Sequence, residues 1–585
     1  MTKRRSALRV SAYLLGLGLL LTLFPGPKLA QPKITVIEGG TLIDGTGREP
    51  IRDALIIING NKFVSVSQIG KIKYAEGARV IKANGKFILP GLIDMHVHYD
   101  SWMPELFLAH GVTSIVDLGS WDWVIAQKEG IEKGKIPGPR IFTSSFLLDG
   151  RLFWDVPFYR LENAEMARRV IRDFIDRKVV DVVKVYNEIT PDKLRIIVEE
   201  AHKAGLPVMG HLGAIDAREA TALGIDGLAH ASGVALATIT DPERRKELQE
   251  FERLGIAVDY PLYLEYHAFM DPAKVDELVR QMVQKNVRIE CDLINTSRWA
   301  AARRGAYERE DYEFLQNPSL KYVPENVRER ILYWQPLKKM SPREAQQLQK
   351  GYVKLQSFIV RFVNAGGKVL AGTDSSSFVL PGLSLHREME LLVEAGLSPM
   401  QAIVAATKNN AEFLRKQAEL GTIEQGKLAD LVILKNDPLQ DIRNTKDIEL
   451  VMKSGEILDT SYHAGFFNPI PAPPPPWGHI ANPIPTIKSI RPMTATEDDK
   501  EVKLLVEGSN FIGESVVKFD RIGLQTTPVR TTQVAGTAYL PHFTQLEATI
   551  PGWLLKRIGT FPITVANPRP EGGESSAVYF FVKFR

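Results

Sequence analysis

Eight short apolar runs, separated in most places by amphipathic stretches of helix length, fill the chain from Phe87 to Ser375. They are "ILPGLIDMHVH", "TSIVDLG", "RIFTSSFLL", "VVDVVKVYNE", "LPVMGHL", "GIDGLAHA", "RIECDLIN" and "KVLAGTDS". Between them lie segments such as "NAEMARRVIRDFIDRK", "TPDKLRIIVEEAHKAG" and "YVKLQSFIVRFVNAGG". Strands alternating with helices demand a parallel sheet with helical crossovers, and eight such units match a (β/α)8 TIM barrel. Thr190 and Pro191 form a good helix start and Gly205 a good stop. Two connections exceed what a bare barrel needs, Ala231 to Val287 and Thr296 to about Ala345. Both follow strand C-termini, where barrel enzymes place the loops that shape a substrate pocket.

The flanks have a different texture. Lys33 to Lys86 holds the β runs "KITVIEGG", "ALIIINGNKFVSVS" and "ARVIKANGKFIL", with Asn59-Gly60 as a hairpin signal. After two further helical stretches, β texture returns in "GTIEQGKLADLVILKNDP" and "IELVMKSGEIL". The expected fold class is therefore α/β: a TIM barrel over 87–417 with a composite β-sandwich built from its flanks, 31–86 and 418–464. Residues 465–485 include "NPIPAPPPPWGHIANPIP", a semi-rigid polyproline spacer. Residues 486–585 read as short alternating strands with turn-rich gaps, an all-β immunoglobulin-like domain.

The first 30 residues stand apart: "MTKRRSALR" carries four Lys/Arg and precedes the uncharged apolar run Val10 to Phe24. This reads as an export signal with Ala30 as a candidate last leader residue, or, if retained, as an N-terminal anchor. The run is short for a membrane span. A periplasmic or extracellular location is expected, with membrane contact only through this segment. Basic and acidic residues nearly balance, 73 against 69, so nothing suggests a nucleic-acid partner. The single cysteine, Cys291, excludes an intrachain disulfide and reads as a small buried strand residue.

His96 and His98 alternate with Val97 and therefore share one face of a strand. One buried histidine is ordinarily a hydrogen-bonded core residue, and the pair alone is a weak signal. Other strands supply company: Lys184 in "VVKVY", His211 in "VMGHLG", His230 in "GLAHAS" and Asp374 in "LAGTDSS", each at or near the C-terminal end of an apolar run. A barrel collects polar side chains at that edge. Four imidazoles and a carboxylate converging there suit zinc or another first-row divalent ion. A lysine fits such a cluster if its desolvated amine reacts with carbon dioxide to form a carbamate; otherwise it snorkels to the rim or pairs with Asp374.

The ordered set "HVH", "VVKVY", "GHLG", "AHAS" and "GTD", with "GKLADLVILKNDP" after the barrel, resembles the metal-dependent amidohydrolase superfamily. Its branch of imidazolonepropionase-like hydrolases and Xaa-Pro dipeptidases is the nearest likeness, from about Lys33 to Leu458. The resemblance implies two divalent metal ions, zinc in expectation, with His96 and His98 on the more buried one and His211 and His230 on the more exposed. It also implies a Lys184 carbamate bridging them and Asp374 contacting the first while handling protons, as the catalytic residue. The tail, with "PTIKSIRPMTATEDDKEVKLLVEGSNF" and "FPITVANPRPEGGESSAVYFFV", resembles an IPT/TIG domain, a spacer or a module that binds another protein or a polysaccharide. Phe580 and Phe581 read as core or edge-strand packing.

Tyr186, two residues beyond Lys184, shares its face and is a candidate for a substrate oxygen; Arg298 is a candidate for a substrate carboxylate. His386 and Asp117 read as hydrogen-bonding residues, and His202 as a surface residue. The expected function is hydrolysis of a C–N amide bond in a small substrate, a dipeptide such as Xaa-Pro or an N-acyl amino acid. The alternatives are a cyclic amide or lactone substrate, or a non-catalytic surface-binding scaffold.

Overall fold

The computed structural model describes residues 34–149, 158–253, 260–298, 300, 307–324, 327, 328, 331, 342–375, 379–470, 484–512, 515–532, 542–567 and 573–585. The expected export segment and most of the proline-rich spacer lie outside the described residues. Among those described, no helix is long and apolar enough to cross a membrane.

The N-terminal strands are β1 (Ile34–Glu38), β2 (Thr41–Leu42), β3 (Ile51–Arg52), β4 (Ala54–Asn59), β5 (Lys62–Gln68), β6 (Arg79–Lys82) and β7 (Phe87–Pro90). One sheet runs β5-β4-β1-β6. In the β4–β5 hairpin Asn59 pairs with Lys62, so the turn is Gly60-Asn61, one residue later than the sequence signal, with Gly60 at φ +60°. Glycine adopts that left-handed φ without strain, which fixes the register.

The ring follows with β8 (Leu92–Val97), β9 (Val112–Asp117), β10 (Arg140–Thr143), β11 (Leu147–Leu148), β12 (Phe158–Tyr159), β13 (Val183–Val185), β14 (Val208–Gly210), β15 (Gly227–Leu228), β16 (Arg288–Glu290) and β17 (Val369–Leu370). Strands β8, β9 and β10 pair in parallel, as do β13 through β17 in succession. Parallel bridges Ser144–Val182 and Val97–Ser375 close the circle. The helices between strands bury one stripe each: in Pro191–Lys203 it is Leu194, Ile197, Val198 and Ala201. That spacing is one face of a 3.6-residue period.

The chain then returns with β18 (Leu431–Leu434), β19 (Ile448–Lys453) and β20 (Glu456–Ile457), giving a second sheet β20-β19-β18-β7-β2-β3. Ile37, Ile56 and Phe63 of the first sheet share one buried cluster with Leu42, Ile88, Leu431 and Ile433 of the second. This corrects one sequence boundary: Phe87–Pro90 pairs with β18 and β2, so the ring begins at Leu92. Gly91 is the crossing point, where a Cβ would stand 2.3 Å from Thr113 Oγ1.

Both long connections are helical. The first holds Val234–Thr238, Pro242–Arg253, Tyr260–His267 and Pro272–Gln284; the second holds Leu293–Ser297 and Glu308–Leu315 before the long helix Pro342–Asn364. Two neighbouring side chains of the helix Leu383–Ala395 pin the second connection. Arg387, wholly buried, bonds Asp311 at 2.6 Å and Glu310 at 2.9 Å. Glu388 accepts hydrogen bonds from the backbone N–H groups of Leu293 (3.1 Å) and Ile294 (2.7 Å).

Among the described C-terminal residues, two sheets are formed. Thr486–Arg491, Glu501–Phe511, His542–Pro551 and Gln525–Thr532 make one; Thr494–Thr496, Val578–Lys583, Gly559–Asn567, Val516–Phe519 and Ile522–Gly523 make the other. Leu504, Leu546, Phe519, Ile563 and Phe580 are buried. The reading of Phe581 as core or edge packing is corrected: it is 39% exposed, on a strand flanked on both sides. Successive strand residues face opposite sides, so burying Phe580 turns Phe581 to solvent.

Candidate metal centre

The six residues expected at a barrel mouth come together at one end of the ring of parallel strands. His96 lies within β8 and His98 just past its end; Lys184 is the middle residue of β13, and His211 directly follows β14. His230 and Asp374 come shortly after β15 and β17, in turns with φ of +57° and +49°. Left-handed backbone at a residue other than glycine costs on the order of 1–3 kcal/mol and persists only where the surroundings impose it. Here it brings an imidazole and a carboxylate inward from the strand ends.

Asp374 Oδ1 stands 3.4 Å from His96 Nε2 and 3.1 Å from His98 Nε2. The His96 ring lies 5.3 Å from that of His98 and 4.8 Å from that of His230, which in turn lies 4.8 Å from His211. Groups of three donors within 4.8 Å of one another include His96, His98 and Asp374, and His230, Asp292 and Asp374. His96 Nε2 and Lys184 Nζ are buried and make no hydrogen bond. An orphaned buried imidazole nitrogen and an orphaned ammonium are costly in a folded protein, and a bound cation with a carbamylated lysine removes both costs. The donors fit divalent metal.

The electrostatics agree. Burial, followed by the Lys184 charge, holds His96 well below the ordinary histidine range; burial and His230 do the same for His211. Neutral imidazole is the form that ligates metal. Burial also pulls Lys184 down to about 8 against the opposing influence of Glu290, Asp374 and Asp292. A lysine so lowered has an appreciable amine fraction at neutral pH, the form that reacts with carbon dioxide. Burial alone would raise Asp374, but His96 and His98 hold it well below the usual carboxylate range.

Several residues of the centre were not singled out from the sequence. Glu290 Oε2 is 3.2 Å from His96 Nδ1 and accepts from the His230 backbone N–H at 3.0 Å. Asp292 Oδ2 is 2.8 Å from His230 Nδ1. Asp94 accepts from Thr373 Oγ1 at 2.7 Å, and burial pushes its carboxyl up to about 8. The signal was present in "RIECD": acids at the C-terminal end of an apolar run satisfy the criterion that exposed the histidines. Gly372 is required by contact, since a Cβ there would meet Glu290 Cγ at 2.9 Å and His96 Cβ and N at 3.0 Å.

Of the two substrate candidates, Tyr186 is drawn to the centre, its ring 4.8 Å from His211. Arg298 points its guanidinium at Asp311, 3.6 Å away, on the same ionic cluster as Arg387. His386 bonds Thr445 Oγ1 and the His110 carbonyl, each at 2.9 Å, and Asp117 accepts from the Tyr99 N–H at 2.8 Å; both are hydrogen-bonding residues. His202, partly exposed, meets Asp226 at 2.7 Å. Cys291 is buried, one residue past β16 rather than within it.

The model of the amidohydrolase family matches residues 87–242 and 327–458. Ochratoxinase of Aspergillus niger is 23% identical over 499 residues, covering 73% of this chain and 87% of that protein. Among solved structures, a Xaa-Pro dipeptidase with bound methionine in its active site superposes with a TM-score of 0.52 at 20% identity, covering 73% of this chain and 100% of its own. Molinate hydrolase superposes with a TM-score of 0.52 at 21% identity, covering 74% and 95%. Identities this low establish a shared fold, and the family match spans the strands that carry all six converging residues. Through that region the chain matches the amidohydrolase family, and it is a hydrolase of the kind that acts on carbon–nitrogen bonds.

Proposed function

We propose that the closed ring is a TIM-type barrel holding two divalent ions, zinc in expectation, and that it hydrolyses the amide bond of a small substrate, a Xaa-Pro dipeptide or an N-acyl amino acid. The observation that carries this is the convergence of His96, His98, Lys184, His211, His230 and Asp374 around orphaned buried donors. Amide-cleaving relatives, the Xaa-Pro dipeptidase among them, support the substrate class. His96, His98 and Asp374 would hold one ion, His211 and His230 the other, with a carbamate on Lys184 between them. The ions would supply an activated water and polarise the carbonyl.

The chain's own residues then divide the work. Asp374, 3.1 Å from His98 Nε2 and 3.4 Å from His96 Nε2, would accept the proton of the attacking water and deliver it to the departing nitrogen. Water adds to the carbonyl carbon, the C–N bond breaks, and a carboxylate and an amine leave. Tyr186, its ring 4.8 Å from that of His211, would donate to a substrate oxygen. Export by the N-terminal segment, a polyproline spacer at 465–485 and an IPT/TIG-type binding module over 486–585 complete the reading. Sequence pattern supports the first two, and two β-sheets support the third.

The test is a screen of dipeptides ending in proline, N-acylated amino acids, cyclic amides and lactones with metal-loaded protein. Turnover of the first two classes supports the proposal. Turnover of cyclic substrates alone transfers it to that class, and no turnover of any leaves a binding scaffold.

A further inference from the structure

Two carboxylates outside the expected ligand set stand two residues apart at the end of β16: Glu290 is nearest the His96 ring and lies 3.9 Å from His230 Nδ1, while Asp292 is nearest the His230 ring. A metal-binding imidazole presents one bare nitrogen to the ion and carries its hydrogen on the other, which needs an acceptor to fix both tautomer and ring orientation. Glu290 Oε2 lies 3.2 Å from His96 Nδ1, leaving His96 Nε2 toward Asp374 and His98. Asp292 Oδ2 lies 2.8 Å from His230 Nδ1, which makes Nε2 the ring nitrogen that would ligate. We propose that Glu290 and Asp292 are positioning residues, one for each metal position: Glu290 sets His96 of the His96/His98 pair, and Asp292 sets His230 of the His211/His230 pair.

Both carboxylates are themselves held. Glu290 accepts the His230 backbone N–H at 3.0 Å and is wedged against Gly372, where no side chain would fit. Asp292 Oδ1 accepts from Asn295 Nδ2 at 2.8 Å, and that amide also donates to the Thr373 carbonyl at 3.1 Å, next to Asp374. Both are wholly buried. One strand end, outside the expected ligand set, thus aligns a histidine of each pair and ties them to the loop that carries Asp374. The inference rests on the two-ion reading.

The test is metal titration of Glu290→Gln, Asp292→Asn and their alanine counterparts in the full chain, with melting of the apo proteins as a check on folding. Cobalt absorption would report each position separately. The amide variants should melt near wild type when metal-free, each with affinity reduced about 10–100-fold chiefly for one ion, the His96/His98 ion in Glu290→Gln and the His211/His230 ion in Asp292→Asn, and the two should alter different cobalt bands. The alanine variants should lose more, since Gln and Asn still offer an acceptor oxygen. Wild-type affinity for both ions in Glu290→Gln and Asp292→Asn, or loss of the same ion by both, overturns the inference while leaving the two-ion reading intact. A wild type that binds no ion removes both.

Discussion

Adding one methyl group at Gly372 should cripple the metal centre without replacing a ligand. The Cβ of Gly372→Ala would fall 2.9 Å from Glu290 Cγ and 3.0 Å from both Cβ and backbone N of His96. Ordinary carbon contacts need about 3.5–4.0 Å, so these neighbours must retreat by about 0.5–1 Å. The backbone of His96 belongs to β8, which runs directly into His98, so the strand cannot yield without moving both imidazoles. Metal–ligand distances tolerate displacements of only about 0.2 Å. Overpacking of this kind costs about 1–3 kcal/mol in stability. Denaturant melts of the apo protein should show that loss, and metal analysis after dialysis should show ions depleted relative to wild type. Gly465→Ala, with open space around its Cβ, is the control and should match wild type in both assays. A Gly372→Ala protein that retains two ions and the wild-type midpoint would refute the packing around His96 described above.

Three further outcomes are expected. Lys184→Ala should lose most of its metal and its turnover together; retention of both would exclude a bridging carbamate. Arg387→Ala should cost about 3 kcal/mol in a urea melt, because it leaves the buried Asp311 beside Glu310 with only the more distant Arg298, 3.6 Å away, and a loss below about 1 kcal/mol would contradict that pairing. Burial holds His110 at about 4 and His386 at about 3, against 6.5 for the ordinary side chain. Between pH 6.5 and 4 the unfolded chain therefore binds protons that the folded chain refuses, so stability falls as pH falls, by about 1.4 kcal/mol per unit for each histidine. His386→Gln should reduce the slope of stability against pH by one such increment, and an unchanged slope would show that His386 is already protonated when folded.

The ring was legible because its strands are short, apolar and regularly spaced, and because polar residues at their C-terminal ends had no role in a core. His96, His98, Lys184, His211, His230 and Asp374 all obeyed that rule. Glu290 and Asp292 obeyed it too, but a charged residue at a loop start resembles any solvated loop residue until its burial is known. The crossing at Gly91 escaped notice because "FILPGLIDMHVH" is one apolar run, and hydrophobicity does not say to which sheet a strand belongs. Arg298 looked available for substrate because its acidic partner, Asp311, arrives from a distant turn of the same connection. Pairing across such distances leaves no mark in local pattern.

The most direct measurement is a crystal structure of metal-loaded protein with anomalous data collected at the metal absorption edge. Two peaks are expected, one bounded by His96, His98 and Asp374 and one by His211 and His230, with the Lys184 side chain lengthened by a carbamate between them. A map with no peak in that space, and Lys184 as a bare ammonium against Glu290, would contradict the assignment of this centre to hydrolysis by two metal ions.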